Sequence, residues 1–315
     1  MGIKKIKIAV VGAGYMVNEH LKVLSKFKNV ELSGIFSRTK KKALALKKKY
    51  KIKTVFDSLD QMQKTTKADG VLVAISPDNL KKVSKAIFSY PWKCLVEKPI
   101  GINYKETLKI YNQSKKSRKK IFVAFNRRYY SSTKNLLKRL SKSPNEKRIV
   151  VIEDQQNIIN LKKRFNKKIL DNFMYVNSVH LIDYLTFLCR GKVIKIQKFS
   201  KWKKNSKIKV SCKITFSSGD IAYYYALWNL PGPWSIRVFG SNNSYQLKPL
   251  EKFLISKNNS IKFFEYIDKD KDDVKFKPGL KKMNSEFIKT ILNKRNNLPN
   301  LGDALKTAKL INLIY

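Results

Sequence analysis

Lys98 follows the apolar run Cys94-Leu95-Val96 and the carboxylate of Glu97. Ligands of open α/β sheets sit beyond the carboxyl ends of the strands, so an amine beside a carboxylate at such an end could hold or move a proton at a bound molecule. The same residue could also be an ordinary surface lysine. Gly12-Ala13-Gly14-Tyr15-Met16-Val17 matches G-x-G-x-x-[G/A] at its first two glycines, with Val17 where a small residue is usual. Gly12 permits a tight turn and Gly14 lets backbone approach a pyrophosphate at a helix N-terminus, whose amides and dipole favour negative charge; the other reading is a tight βα turn that binds nothing. His180 and Asp183 stand three residues apart and share one side of a helix, a place for acid/base work or for ordinary packing. His20, the other histidine, suits helix packing or capping.

These residues need elements to hold them. Ile6 to Val11 is a β-branched strand pattern, followed by the glycine turn and by Val17, Leu21 and Leu24 at helical spacing. The alternation continues with strands at Val30 to Phe36, Val71 to Ile75, Cys94 to Val96 and Ile121 to Phe125, separated by helical patterns at Lys40 to Lys49, Leu80 to Ile87 and Tyr104 to Tyr111. Such alternation predicts a parallel sheet. Beyond Asn126 the texture changes. Ile208, Val210, Cys212, Ile214 and Phe216 alternate with polar residues, and Ser217-Ser218-Gly219-Asp220 turns the chain into Ile221 to Trp228, an antiparallel hairpin with one buried face. Further strands around Ile149 to Glu153, Ile194 to Phe199, Ile236 to Phe239 and Tyr245 to Leu247, with helices near Phe287 to Leu292 and Ala304 to Ile314, complete the pattern. The expected architecture is an α/β Rossmann domain over 1–124, then an α+β domain over 125–315 with an open-faced, mainly antiparallel sheet.

At the end of the second strand, Phe36-Ser37-Arg38-Thr39 lacks the carboxylate that NAD enzymes set on the adenosine ribose. Arg38, the neighbouring hydroxyls and Lys40 to Lys42 would suit a 2′-phosphate, which favours NADP over NAD. The other reading is that Arg38 is simply exposed.

With 315 residues, 43% of them hydrophobic, the chain can bury a substantial core in one or two domains. No stretch approaches the roughly 18 to 20 apolar residues that span a membrane, and Met1 to Lys7 lead straight into a strand, so neither a membrane span nor an export signal is expected. Cys94, Cys189 and Cys212 are odd in number and set in apolar runs, which argues against a disulfide framework and a zinc site and for a reducing, cytoplasmic setting. The formal net charge of +46 raises the question of a nucleic-acid partner. The excess is almost all lysine, with about ten arginines, although arginine is preferred for bidentate phosphate and guanine contacts. The lysines also spread along the whole chain, including Lys47 to Lys49, Lys115-Lys116, Lys203-Lys204 and Lys281-Lys282. A solvated surface accounts for them, and no nucleic-acid partner is expected.

Taken in order, Gly12-Ala13-Gly14-Tyr15-Met16, Ser76-Pro77, Glu97-Lys98-Pro99, Phe125-Asn126-Arg127-Arg128, His180-Leu181-Ile182-Asp183 and Trp228-Asn229-Leu230-Pro231-Gly232-Pro233-Trp234 resemble the glucose-fructose oxidoreductase and inositol dehydrogenase (Gfo/Idh/MocA) family along essentially the whole chain. The resemblance implies hydride transfer between a nicotinamide and a sugar or polyol carbon. It implies that Gly12, Gly14, Tyr15, Met16, Ser37 and Arg38 hold NADP or NAD, that Ser76, Pro77 and Asn126 line its nicotinamide side, and that Glu97 contacts the nicotinamide ribose and orients Lys98. It further implies that Lys98 touches the reacting oxygen across a cis Lys98-Pro99 bond, that His180 is the acid/base, and that Arg127, Asp183 and His180 meet substrate. A homodimer or homotetramer through the open sheet is the implied assembly.

One departure stands out. Catalytic members usually carry an aspartate four residues before the histidine, one helical turn away, where this chain has Val176. On a regular helix Asn177 points elsewhere, and Asp171 lies too far upstream. The leading expectation is an NAD(P)-dependent oxidoreductase of a sugar or nucleotide sugar, in surface-polysaccharide synthesis. The alternative is a non-catalytic cofactor-binding sensor or interaction protein of the same fold.

Overall fold

The computed structural model describes residues 5–163, 165–202, 210–266 and 270–315, with the backbone alone at position 119. The chain divides into two compact units, one of Met1–Tyr129 with Lys271–Leu305 and one of Tyr130–Asp270 with Lys306–Tyr315.

In the first unit the alternating pattern becomes β1 (Ile6–Val11), α1 (Tyr15–Leu24), β2 (Val30–Phe36), α2 (Lys40–Tyr50), β3 (Val55–Phe56), α3 (Leu59–Thr66), β4 (Gly70–Val73), α4 (Pro77–Ser89), β5 (Lys93–Val96), α5 (Tyr104–Gln113) and β6 (Ile121–Val123). The strands form one parallel sheet in the order β3-β2-β1-β4-β5-β6. Because β1 lies between helices it is buried at every position but Lys7, as its unbroken β-branched run requires. Register brings four strand ends level. Phe36, Val11, Val73 and Val96 are mutual neighbours across β2, β1, β4 and β5. The chain reverses its order between β1 and β4, the switch point where open sheets of this kind open a crevice.

The first unit also recruits distant sequence. The helix Leu280–Ile291 buries Leu280, Met283, Phe287 and Ile288 in the same apolar cluster as Val17, Leu21 and Leu24 of α1. Sequence patterning groups this helix with 125–315, whereas the contacts give Lys271–Leu305 to the first unit. A helical period reveals an apolar face but not what covers it.

The second unit carries an eight-stranded sheet made from β7 (Ile149–Asp154), β8 (Val193–Ser200), β9 (Val210–Phe216), β10 (Ile221–Ala226), β11 (Ser235–Phe239), β12 (Asn243–Leu247), β13 (Leu254–Lys257) and β14 (Phe264–Glu265). Its order is β14-β13-β12-β11-β7-β10-β9-β8, and neighbouring strands run antiparallel except β7 and β10. In β9 the alternation is regular, with Val210, Cys212, Ile214 and Phe216 inward; Ile208, like Lys203 and Lys204, lies outside the described residues. Gly219 makes the hairpin turn at φ 84°. The sheet's other face is open, and β8 is exposed along nearly its whole length. Among the described residues, no helix is long and apolar enough to cross a membrane.

Candidate active site

The glycine turn joins β1 to α1 at the switch point. Gly12 adopts φ 112°, and a Cβ there would lie 2.3 Å from the Ala74 carbonyl oxygen, so only glycine passes at this height above β4. Its amide donates to the Phe36 carbonyl at 2.8 Å, tying the turn to β2. Gly14 has the opposite surroundings. It caps α1, is exposed, and nothing lies within 4 Å of the place a Cβ would take. No side chain caps the first turn of α1 and no acidic residue stands in it, which leaves its amide dipoles facing outward for an anion. Tyr15 is exposed at this end, with the Lys277 ammonium 5.8 Å from its ring centre, and Met16 and Val17 turn inward, Val17 being fully buried in the core. These features fit a dinucleotide pyrophosphate.

Beyond β2, Ser37 accepts from the Thr39 amide at 3.2 Å and Arg38 is exposed. Lys40 pairs with Asp57 at 2.8 Å, and α2 opens on Lys40, Lys41 and Lys42 with no acid in its first turn. Three cations at the positive end of a helix dipole are locally unfavourable, and a phosphate there would relieve them. Ser76 caps α4 ahead of Pro77 and accepts from Asn79 Nδ2 at 2.6 Å.

Past β5, the Glu97 amide donates to the Val73 carbonyl at 2.8 Å, and the Lys98-Pro99 peptide is cis. Lys98 keeps partial solvent access as a residue, but its ammonium sits among protein atoms. Burial therefore pushes it down, the Glu97 carboxylate opposes this, and Arg127 and Lys277 add repulsion; the result is a pKa of about 8. Asn126 is buried and donates to the Pro278 carbonyl at 3.1 Å, so one of its amide protons anchors the returning segment. Arg128 lies over the Phe125 ring at 5.6 Å. Lys277 lay beyond sequence reasoning, because nothing in a lysine-rich tail marks the one lysine that returns beside Lys98.

His20 does more than pack. Completely buried, its Nε2 lies 2.9 Å from Glu97 Oε1 and its Nδ1 lies 3.1 Å from Asn284 Nδ2 and 3.2 Å from Asn284 Oδ1. Asn284 Nδ2 in turn donates to the Leu280 carbonyl at 2.8 Å.

In the second unit His180 is buried near the start of the helix Val179–Leu188, with the Trp234 ring centre 6.5 Å from its own. Asp183 is buried and accepts from Thr307 Oγ1 at 3.0 Å. The segment before His180 corrects the regular-helix expectation. Met174–Ser178 is a π-helix, whose i→i+5 pattern spoils counting by turns of 3.6. Asn177 uses its amide on Gln156 Oε1 at 2.8 Å, and Gln156 Nε2 donates to Asp154 Oδ1 at 2.5 Å. Asp154 also accepts from Tyr224 at 2.7 Å and from Trp228 at 3.4 Å. Burial raises its carboxyl above the usual range against hydrogen bonds from Ser178, Tyr224, Gln156 and Trp228. Sequence reasoning missed Asp154, an acid that ends an otherwise ordinary strand.

Residues 6–125 match the model of the GFO_IDH_MocA oxidoreductase family, an NAD-binding Rossmann fold. The match lies within the first unit. Single proteins resemble the chain as well. Over 138 residues it is 26% identical to the scyllo-inositol 2-dehydrogenase (NADP(+)) IolU of Bacillus subtilis, covering 44% of this chain and 42% of that one. Over 161 residues it is 26% identical to the glucose-6-phosphate 3-dehydrogenase of the same organism, covering 51% of this chain and 42% of that one. The matched stretches thus span less than half of either relative. A dehydrogenase structure from Chromobacterium violaceum superposes with a TM-score of 0.82 at 16% identity, covering 99% of this chain and 95% of the other, so the likeness of fold includes both units.

Proposed function

We propose that this protein is a member of the Gfo/Idh/MocA family and an NADP- or NAD-dependent oxidoreductase of a secondary carbinol on a sugar or polyol. The observation that carries the reading is the level row of strand ends, which sets the Gly12–Gly14 turn and the Lys98 amine at one crevice of the first unit. Its Bacillus subtilis relatives are named for acting on an inositol and on a hexose phosphate, both ring compounds bearing secondary hydroxyls. A nucleotide sugar, and a role in surface-polysaccharide synthesis, are finer parts of the same proposal, as are a cytoplasmic setting and a homo-oligomer.

A nicotinamide dinucleotide, when bound, supplies the hydride acceptor or donor. The chain supplies the rest. The uncapped first turn of α1 receives the pyrophosphate, and Gly14 lets it approach. Arg38 and the lysines that open α2 take a 2′-phosphate, Ser76, Pro77 and Asn126 border the nicotinamide, and Glu97 meets its ribose. Lys98, titrating near 8, donates a hydrogen bond to the carbonyl oxygen as an ammonium and withdraws the carbinol proton as an amine. Reduction should therefore weaken as pH rises through about 8, and oxidation should strengthen over the same interval. Hydride transfer is accompanied by this one proton, which His180 is assigned to carry onward, and Arg127 and Asp183 are the residues offered to substrate.

The test follows absorbance at the nicotinamide band with inositols, hexose phosphates and nucleotide sugars, each with NADPH or NADP and with NADH or NAD. The expected outcome is turnover of at least one ring compound with preference for the phosphorylated cofactor. Arg38→Ala should weaken NADP about tenfold or more relative to NAD, the loss of one charge-assisted contact. An equal effect on both cofactors would remove the 2′-phosphate assignment.

A further inference from the structure

His20, Glu97 and Asn284 come from α1, the turn after β5 and the helix Leu280–Ile291, and all three are buried. The 77 and 264 residues that separate His20 from its two partners are closed by contacts of 2.9 Å and 3.1 Å. A carboxylate only accepts, so the short contact requires the proton on His20 Nε2. Asn284 Nδ2 has two protons. One goes to the Leu280 carbonyl, and the other reaches His20 Nδ1, which as the unprotonated nitrogen accepts it. The donors thus run in one direction, from Asn284 Nδ2 to His20 Nδ1 and from His20 Nε2 to Glu97 Oε1. A core built only for stability would more cheaply be apolar, since a buried carboxylate gains little over well-packed hydrophobic groups. The next residue after Glu97 is Lys98, whose surroundings otherwise include the cations Arg127 and Lys277.

We propose that His20 and Asn284 are positioning residues, a buried polar strut that runs from the helix Leu280–Ile291 through α1 and holds the Glu97 carboxylate fixed beside Lys98. This rests on reading Lys98 as the amine that meets the reacting oxygen. The strut explains why a C-terminal helix joins the first unit, since Asn284 is supplied from there. It also gives the sign of the coupling. An ionised Glu97 favours the ammonium of Lys98, while Arg127 and Lys277 oppose it. Without a donor from His20, the Glu97 carboxylate is no longer held beside Lys98, and its opposition to the repulsion from the two cations weakens.

The experiment measures the titration of Lys98 in the full-length protein without substrate or cofactor, by competitive acetic anhydride labelling read peptide by peptide in a mass spectrometer. Wild type should show a midpoint of about 8. His20→Gln, whose amide nitrogen can replace the Nε2 donor, should keep it. His20→Leu should lower it by about one unit or more, the size of a lost neighbouring charge, and Asn284→Leu should move it in the same direction. Circular dichroism and thermal melting report folding; if His20→Leu does not fold, Asn284→Leu and His20→Gln decide the matter. A folded leucine variant with an unchanged midpoint, or a glutamine variant that falls as far as the leucine one, overturns the proposal. Turnover is scored separately: full activity in Lys98→Met would refute the oxygen-contact reading and leave the labelling result standing.

Discussion

Lys98→Met should lower kcat/KM for the best ring substrate by about a thousandfold, within the span that a positioned acid or base contributes, while making the protein more stable at neutral pH. The two effects have one cause. Burial holds the Lys98 ammonium down to about 8, so the unfolded chain binds more protons than the folded one between that value and the ordinary lysine range. Stability then rises with pH across this window, and the full penalty for the buried charge applies below about 8. Methionine keeps most of the side-chain volume and removes that charge, for a gain on the order of 1–3 kcal/mol and a thermal midpoint a few degrees higher. Steady-state kinetics and a melting curve at pH 7 and pH 10 check both halves. An active, unstabilised variant would mean that Lys98 is an ordinary surface lysine.

Asp220→Ala should destabilise the second unit by about 3 kcal/mol, because removing the buried carboxylate takes the acceptor from two backbone amides and the partly exposed Arg190 guanidinium at once. Asp220 is fully buried and accepts from the Arg148 amide at 3.0 Å, the Arg190 amide at 2.8 Å, Arg190 Nε at 3.0 Å and an Arg190 terminal nitrogen at 2.7 Å. Burial alone would raise its carboxyl, but the Arg190 guanidinium and the two backbone amides outweigh that and hold it at about 2. The folded state binds this proton less readily than the unfolded one. The stabilisation is therefore complete above about pH 4 and disappears as pH falls toward 2, amounting to about 2 kcal/mol. Urea unfolding from pH 7 to pH 2 should give a steep acid limb in wild type that is shallower in the variant. Parallel limbs would assign acid sensitivity elsewhere.

The strands β1, β2, β4 and β5 were legible because a buried parallel strand must be a run of apolar, β-branched residues, and the glycine turn marks where the first one ends. Lys98 was legible for the same reason, standing two residues past such an end. Two-residue β3 and the short α3 left no comparable periodic signal. His20 and Asn284 could not be paired from sequence, since 264 residues separate them and each reads locally as a helical polar position. Val176 shows a further limit: counting helical turns back from His180 assumes an α-helix, and Met174–Ser178 is a π-helix with Asn177 tied to Gln156. Lys277 and Asp154 came forward only through contacts, because charge and burial belong to the folded chain and not to the residue type.

The most direct measurement of the central claim is transfer of deuterium from C4-labelled NADPH to a panel of keto sugars and keto polyols, read by mass spectrometry. Label in the carbinol of at least one ring product, lost in Lys98→Met, is the predicted result. Saturable NADPH binding with no label in any product would contradict it and leave the protein a cofactor binder without hydride chemistry.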